Sequence, residues 1–87
     1  VDIDWEFPVG GGLAGNANRP EDKQNFTLLL AEIRRQLDVQ EGRDGKQYYL
    51  TADIAAGADK LNNYELAPAS QYVDWFNVMC YDFYGAW

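Results

Sequence analysis

Three carboxylic acids lie at alternate positions at the start of the chain, and they are the residues best suited to chemistry: Asp2, Asp4 and Glu6. Large apolar residues separate and flank them, so the segment Val1–Phe7 alternates strictly between apolar and acidic side chains. A period of two predicts an extended strand whose successive side chains point to opposite faces. We therefore expect one apolar face and one face that carries three carboxyls, called here the acid row.

Charge repulsion within the acid row favours retention of a proton. Side chains on one face of a strand are about 7 Å apart, and two full charges at that distance repel by about 2.5 kcal/mol at an effective dielectric near 20. That energy corresponds to about two pKa units, and Asp4 experiences it from both sides. We predict that the row shares at least one proton near neutral pH, which is what a general acid requires.

Two other interpretations of the acid row stay open at this point, a solvated edge strand and a calcium site. Calcium loops also take ligands from alternate positions, but they contain Gly and turn sharply. Here the intervening residues are Ile3 and Trp5, which favour burial.

The composition restricts the other classes of function. With 47% hydrophobic residues the chain is globular, and its net charge of −7 makes nucleic acid a poor partner. The absence of His excludes His-based zinc sites and Ser-His-Asp triads within these residues. We expect Cys80, which lies in an apolar run, to be a small buried residue. The segment has no secretory signal and no apolar run of membrane length.

The glycine-rich segment Pro8–Arg19 contains a formal G-x-G-x-x-G, the dinucleotide-binding pattern. We reject that function because the preceding strand carries three acids, which would repel a pyrophosphate, and because the next helix begins only at Pro20. A long surface loop that borders an active site is the expectation instead.

The remaining segments alternate between helix and strand. We predict a helix over Pro20–Leu37, in which apolar residues spaced by three and four form a single stripe, namely Phe26, Leu29, Leu30, Ile33 and Leu37. A turn over Gln40–Lys46 and a strand over Gln47–Ala55 should follow. The last elements predicted are a short helix over Asn62–Tyr72, capped by Asn62 or Asn63, and a strand over Val73–Phe83 that is buried on both faces. This order predicts a parallel sheet with right-handed crossovers. Asp53 interrupts the second strand and faces either a pocket or solvent. The chain begins in mid-strand, so we interpret it as a piece of a longer protein.

Two motifs carry a resemblance to a known family. Asp2-Ile3-Asp4-Trp5-Glu6 resembles the last five positions of D-x-x-D-x-D-x-E, the signature of family-18 glycoside hydrolases, the chitinases. Met79-Cys80-Tyr81-Asp82 resembles that family's second motif, M-x-Y-D. The resemblance extends over essentially the whole chain. It implies an α/β fold, the (β/α)8 TIM barrel, with residues 1–87 forming part of one catalytic barrel from about strand 4 to strand 6.

The resemblance also implies roles for individual residues. Glu6 matches the proton donor, Asp4 the acid that orients the substrate's acetamido group, and Asp2 a partner in proton sharing. Tyr81 matches the hydroxyl that binds the acetamido carbonyl. Substrate-binding positions are matched by Asp82, Met79 and Trp87, of which Trp87 resembles an aromatic platform on the leaving-group side. Members of the family often have a small residue near the position of Asp53.

The function implied is a secreted chitinase that hydrolyses β-1,4-linked N-acetylglucosamine with retention of configuration and needs no metal or other cofactor. Its partner would be chitin or an N-acetylglucosamine oligosaccharide, with no nucleic acid, membrane or obligate protein partner. The alternatives are an endo-β-N-acetylglucosaminidase and a non-catalytic chitin-binding lectin, although Glu6, which such lectins typically lose, is present. We expect the isolated segment to be inactive, because its open sheet edges need the rest of a barrel.

Overall fold

A parallel three-stranded sheet forms the centre of the structure. The computed structural model describes residues 1–83, and for residues 82 and 83 it describes the backbone alone; Trp87 lies outside the described residues. The strands are β1 (Asp2–Asp4), β2 (Thr51–Ala55) and β3 (Trp75–Met79), in the order β1-β2-β3. Both strand pairs are parallel, which confirms the predicted α/β arrangement.

The crossover from β1 to β2 is made by one long helix, α1 (Asp22–Asp44). The prediction that it ends near Leu37, with a turn from Gln40, was wrong. The helix ends where Gly45 adopts the left-handed conformation, at φ 71°, and donates its N–H to the carbonyl of Glu41. Glycine is the residue best suited to that terminating position.

The core lies between α1 and β2. Phe26 and Leu30 of the helix are fully buried, together with Leu50 and Ala52 at the strand. The ring of Phe26 also meets the ring of Tyr64 edge-on, at a centroid distance of 5.0 Å. The predicted apolar stripe of the helix is therefore confirmed at Phe26 and Leu30, although Leu29 remains 40% exposed.

The segment after β2 forms two short helices, α2 (Ala58–Leu61) and α3 (Leu66–Ser70), where one was predicted. Pro68 lies in the first turn of α3, where backbone N–H groups have no partner within the helix, so its missing N–H costs nothing there. No helix within residues 1–83 is both long enough and apolar enough to cross a membrane.

The third strand differs from its prediction in length and in burial. β3 ends at Met79, and Cys80–Phe83 continues as a 3-10 turn. Trp75 and Val78 are each 51% exposed, so the prediction that both faces of the strand are buried was wrong for the described residues. Cys80 is exposed rather than buried. The physical reason is that the buried core covers β2, whereas β3 lies beyond it at the edge of the sheet, and that the chain leaves the strand at Cys80.

Arg34 connects the second half of α1 to the segments that lead into the sheet. Its guanidinium donates to Asp38 at 2.8 Å, to Glu41 at 2.9 Å and to the carbonyl of Tyr48 at 3.2 Å. It also lies 3.6 Å from Asp74. Glu41 in turn accepts the N–H of Tyr48. This network, which sequence periodicity does not reveal, accounts for the continuation of the helix past Leu37.

Replacing Arg34 by Ala is expected to destabilise the full-length protein by about 2 kcal/mol, because charge-assisted hydrogen bonds in a partly buried site are lost. Arg35→Ala is the matched control, since that neighbouring side chain is 63% exposed, against 18% for Arg34, and pairs with Glu32 on the helix surface. Exposed pairs contribute little. Thermal unfolding of the two variants would measure the difference, and equal midpoints would contradict the bridging role of Arg34.

Candidate active site

The three carboxyls of the acid row share one face of the chain, as the alternation predicted. Asp2, Asp4 and Glu6 are exposed, whereas Ile3, Trp5 and Phe7 are half-buried and pack against the core. Strand pairing ends at Asp4, so the strand is shorter than predicted. The alternation of exposure nevertheless continues to Phe7, and it brings the three carboxyls to one face.

Parallel pairing extends the polar face across the sheet. Asp4 is in register with Asp53 of β2, which is in register with Asn77 of β3. The side-chain amide of Asn77 donates to Oδ1 of Asp53 at 3.0 Å. Two residues before Asp53 on the same strand, the hydroxyl of Thr51 donates to Oδ1 of Asp2 at 2.6 Å. Asp53 therefore faces the acid row, and Thr51 and Asn77 are members of the site that the sequence analysis missed.

The pKa of Asp53 is raised above its ordinary value of 3.8. Desolvation by burial is the largest cause, and the hydrogen bond from Asn77 acts in the opposite direction. A hydrogen bond with Asp2 and the negative charges of Asp2 and Asp4 raise the pKa further. The raised pKa favours the protonated form of Asp53, whose hydroxyl can donate a hydrogen bond to the neighbouring carboxyl of Asp2.

Asp53→Asn is expected to stabilise the full-length protein at pH 7. A carboxyl with a raised pKa binds more protons in the folded chain than in the unfolded chain, so wild-type stability falls as pH rises above 3.8 through the raised value. The stability of the variant does not fall in this way, because an Asn side chain does not ionise. Its thermal midpoint should exceed that of wild type at pH 7, and the gap should narrow toward pH 3.

Asp59→Asn, at an exposed position on α2, is the control for removal of one negative charge. A lower midpoint for Asp53→Asn at pH 7 would mean that the ionised carboxylate of Asp53 is favoured by its surroundings, contrary to this prediction.

A cleft of about 300 Å³ opens beside the acid row. Its lining comes from the end of β1, the residues that follow it and the loop before α1, namely Asp4, Trp5, Glu6, Phe7, Asn16, Ala17 and Asn18. The peptide bond between Glu6 and Phe7 is cis. The segment from Pro8 to Arg19 contains neither helix nor strand, as predicted, and it borders the cleft through Asn16 and Asn18.

Tyr64 is a further group near the acids that the sequence analysis did not single out. Its buried hydroxyl accepts the backbone N–H of Ala55 at 3.2 Å. Burial is the main cause that raises the pKa of Tyr64; the hydrogen bond from Ala55 lowers it, and the charges of Asp4 and Glu6 raise it. The phenol therefore stays protonated within the core.

The residues of the second motif lie at the carboxyl end of β3. Met79 is buried at the end of the strand and is in register with Ala55. Tyr81 is 52% exposed and lies in the 3-10 turn. The backbone of Asp82 belongs to the same turn, so the alternation expected of a strand does not apply to it. Among residues 1–81, whose side chains the structure describes, no group of three or more Cys, Asp or Glu side chains is arranged to hold a metal ion.

Comparison with protein families gives a match over the whole chain. Residues 1–87 match the profile of Glycosyl hydrolases family 18. Chitinase A1 of Niallia circulans is 58% identical over 87 residues, and Chitinase A of Pseudoalteromonas piscicida is 46% identical over 88. Both alignments cover all of this chain but only 12% and 11% of those proteins. The chain thus spans about an eighth of the length of these relatives.

Solved structures give the same result for the backbone. Chitinase ChiA74 from Bacillus thuringiensis is 48% identical, with a TM-score of 0.92 over 99% of this chain and 14% of its own. A family 18 N-acetylglucosaminidase from Paenibacillus barengoltzii is 43% identical, with a TM-score of 0.89 over 97% of this chain and 24% of its own. The three strands and their crossovers therefore have the arrangement of a segment within these larger proteins.

Proposed function

Because the chain belongs to glycosyl hydrolase family 18, we propose that the protein is a secreted chitinase in which residues 1–87 form about strands 4 to 6 of a (β/α)8 barrel. The observation that carries the proposal is the placement of Asp4, the last residue of β1, and Glu6, two residues further on. Both side chains are exposed and both line the cleft. In such barrels catalytic side chains lie at the carboxyl ends of the strands, and Glu6 lies two residues beyond the carboxyl end of β1.

The proposed reaction uses the substrate as its own nucleophile, as in the substrate-assisted glycosidases of this family. The acetamido oxygen of the sugar attacks the anomeric carbon while the bond to the leaving oxygen breaks, and Glu6 gives its proton to that oxygen. The product of this step is an oxazolinium ion. Water then attacks the same carbon and gives a proton to Glu6, the ring opens, and the configuration is retained.

The other acids and the phenol would serve the acetamido group. Asp4 stabilises the positive charge that develops on its nitrogen, and Tyr81 donates a hydrogen bond to its oxygen. Asp2 shares a proton with Asp4, and its contacts with Thr51 and Asp53 support that role. Positioning a nucleophile within one molecule contributes about 7–11 kcal/mol to such a step. Met79, Asp82 and Trp87 would contact the bound sugar.

Analysis of the first products of chitin oligosaccharide cleavage by the full-length protein tests the proposal. Nuclear magnetic resonance should show the β-anomer before mutarotation, since the attack by water follows an internal displacement. Initial formation of the α-anomer would exclude the oxazolinium route. Absence of any cleavage, with oligosaccharide binding intact, would instead favour the lectin.

An N-acetylglucosaminidase is the second candidate, and the similarity to the Paenibacillus barengoltzii enzyme supports it. The same digest separates the candidates by product size. Release of single N-acetylglucosamine units from chain ends would indicate that activity. Cleavage of an N-glycan core, offered as a separate substrate, would indicate the endo-acting enzyme. A chitinase releases mainly oligomers of two units or more.

A further inference from the structure

The loop between β1 and α1, residues 8–19, is fixed at both ends by one side chain. Asp22, at the start of α1, is 5% exposed. Its Oδ2 accepts the backbone N–H of Arg19 at 2.9 Å and that of Val9 at 3.3 Å. These hydrogen bonds lower the pKa of Asp22, so the carboxylate remains charged and the two ends of the loop stay together at neutral pH.

The middle of the loop contacts the backbone of Glu6, the proposed acid, and of Phe7. The side-chain amide of Asn16 donates to the backbone carbonyl of Glu6 at 2.9 Å, and that of Asn18 donates to the carbonyl of Phe7 at 3.3 Å. Gly12 approaches the same carbonyl so closely that a Cβ would lie 2.3 Å from the oxygen of Glu6. Its φ of +78° also favours glycine. The loop therefore fits against the backbone of Glu6, and two successive peptide oxygens receive donors from it.

We propose that Asn16 is a positioning residue for Glu6, because its amide holds the Glu6 carbonyl and so fixes where the carboxyl of Glu6 lies in the cleft. This inference rests on the proposed function. The carbonyl and the side chain share one Cα, so a donor on the carbonyl restricts rotation of the backbone that carries the acid. Asn16 also lines the cleft, which places this support at the candidate site rather than in the core.

The proposed role is specific to proton donation, and this gives it a distinctive kinetic signature. A sugar leaving group needs a proton as the bond breaks, whereas a 4-nitrophenolate leaving group is stable without one. Misplacement of an acid by about 1 Å can cost about 10²-fold in rate. A displaced Glu6 should therefore slow the departure of a sugar far more than the departure of nitrophenolate. A general disturbance of the cleft should slow both equally.

The test compares kcat/KM of the full-length wild-type protein and Asn16→Ala on a chitin oligosaccharide and on its 4-nitrophenyl glycoside. We expect a loss of about tenfold or more on the oligosaccharide and less than about twofold on the nitrophenyl substrate. Asn16→Leu, similar in shape but without a donor, should behave in the same way, and it replaces the alanine variant if that protein does not fold. Asn62→Ala, at an exposed position after α2, should match wild type.

Each other outcome is decisive. Equal losses on both substrates, or no loss on either, would overturn the role of Asn16 while leaving the proposed function intact. If Asn16→Ala causes a further loss on the oligosaccharide in a Glu6→Gln background, Asn16 acts independently of Glu6 and the inference is also wrong. If wild type cleaves neither substrate, the proposed function fails first, and the role of Asn16 fails with it.

Discussion

Glu6→Gln in the full-length protein is expected to lower kcat on chitin oligosaccharides by about 10²–10⁴-fold, the usual contribution of general acid–base catalysis. The amide keeps the size of the side chain but can neither give a proton to the leaving oxygen nor take one from water. Glu6 lies on the exposed face beside the cleft, so the substitution should leave the thermal midpoint nearly unchanged. Steady-state kinetics and oligosaccharide binding on the same preparation measure the two effects.

Glu21→Gln is the matched control for Glu6→Gln. Glu21 is exposed at the start of α1, and its side chain makes no capping hydrogen bond, so the same change of charge should leave turnover as in wild type. The 4-nitrophenyl substrate adds a second check, because kcat/KM for Glu6→Gln should fall much less with a leaving group that needs no proton. Retention of more than a tenth of wild-type turnover on the oligosaccharide would remove Glu6 from the proton-transfer role.

Asp4→Asn is expected to lower kcat/KM by about 10²–10³-fold, the usual cost of removing one group that stabilises charge in a transition state. In the proposed reaction Asp4 supports the acetamido nucleophile and not the leaving group. The loss should therefore be similar for the oligosaccharide and the 4-nitrophenyl glycoside, in contrast to Glu6→Gln.

Asp59→Asn controls for the lost charge at an exposed position outside the cleft lining. A loss of activity with the oligosaccharide alone would mean that Asp4 acts through the proton on Glu6. The proposal that Asp4 stabilises the acetamido group would then be wrong. Read together, the two substitutions and two substrates assign each carboxyl to one side of the bond that breaks.

The sequence determined those features that depend on neighbours in the chain. Strict alternation over Val1–Phe7 was sufficient to place three acids on one face, because the side-chain period of a strand is two. The apolar stripe of α1 was likewise sufficient to identify a helix with a buried side. The alternation of elements predicted the parallel sheet, since parallel strands need crossovers that a helix supplies.

Other features were decided by residues far apart in the chain, which local pattern does not specify. Asp53 was ambiguous until strand register placed it between Asp4 and Asn77. The end of α1 depended on contacts of Arg34 with Tyr48 and Asp74. Tyr81 lies in a 3-10 turn rather than in the predicted strand, since β3 ends at Met79.

The hydrogen bond from Asn16 to the carbonyl of Glu6 is another feature that depends on residues far apart in the chain. Nothing in a glycine-rich loop indicates which carbonyl its amides will reach, because that contact exists only once Asp22 has closed the loop and the strand has packed on the core. The chain therefore specifies through local periodicity which groups can do chemistry. Tertiary packing decides how those groups are held, since register and loop closure join residues that the sequence keeps apart.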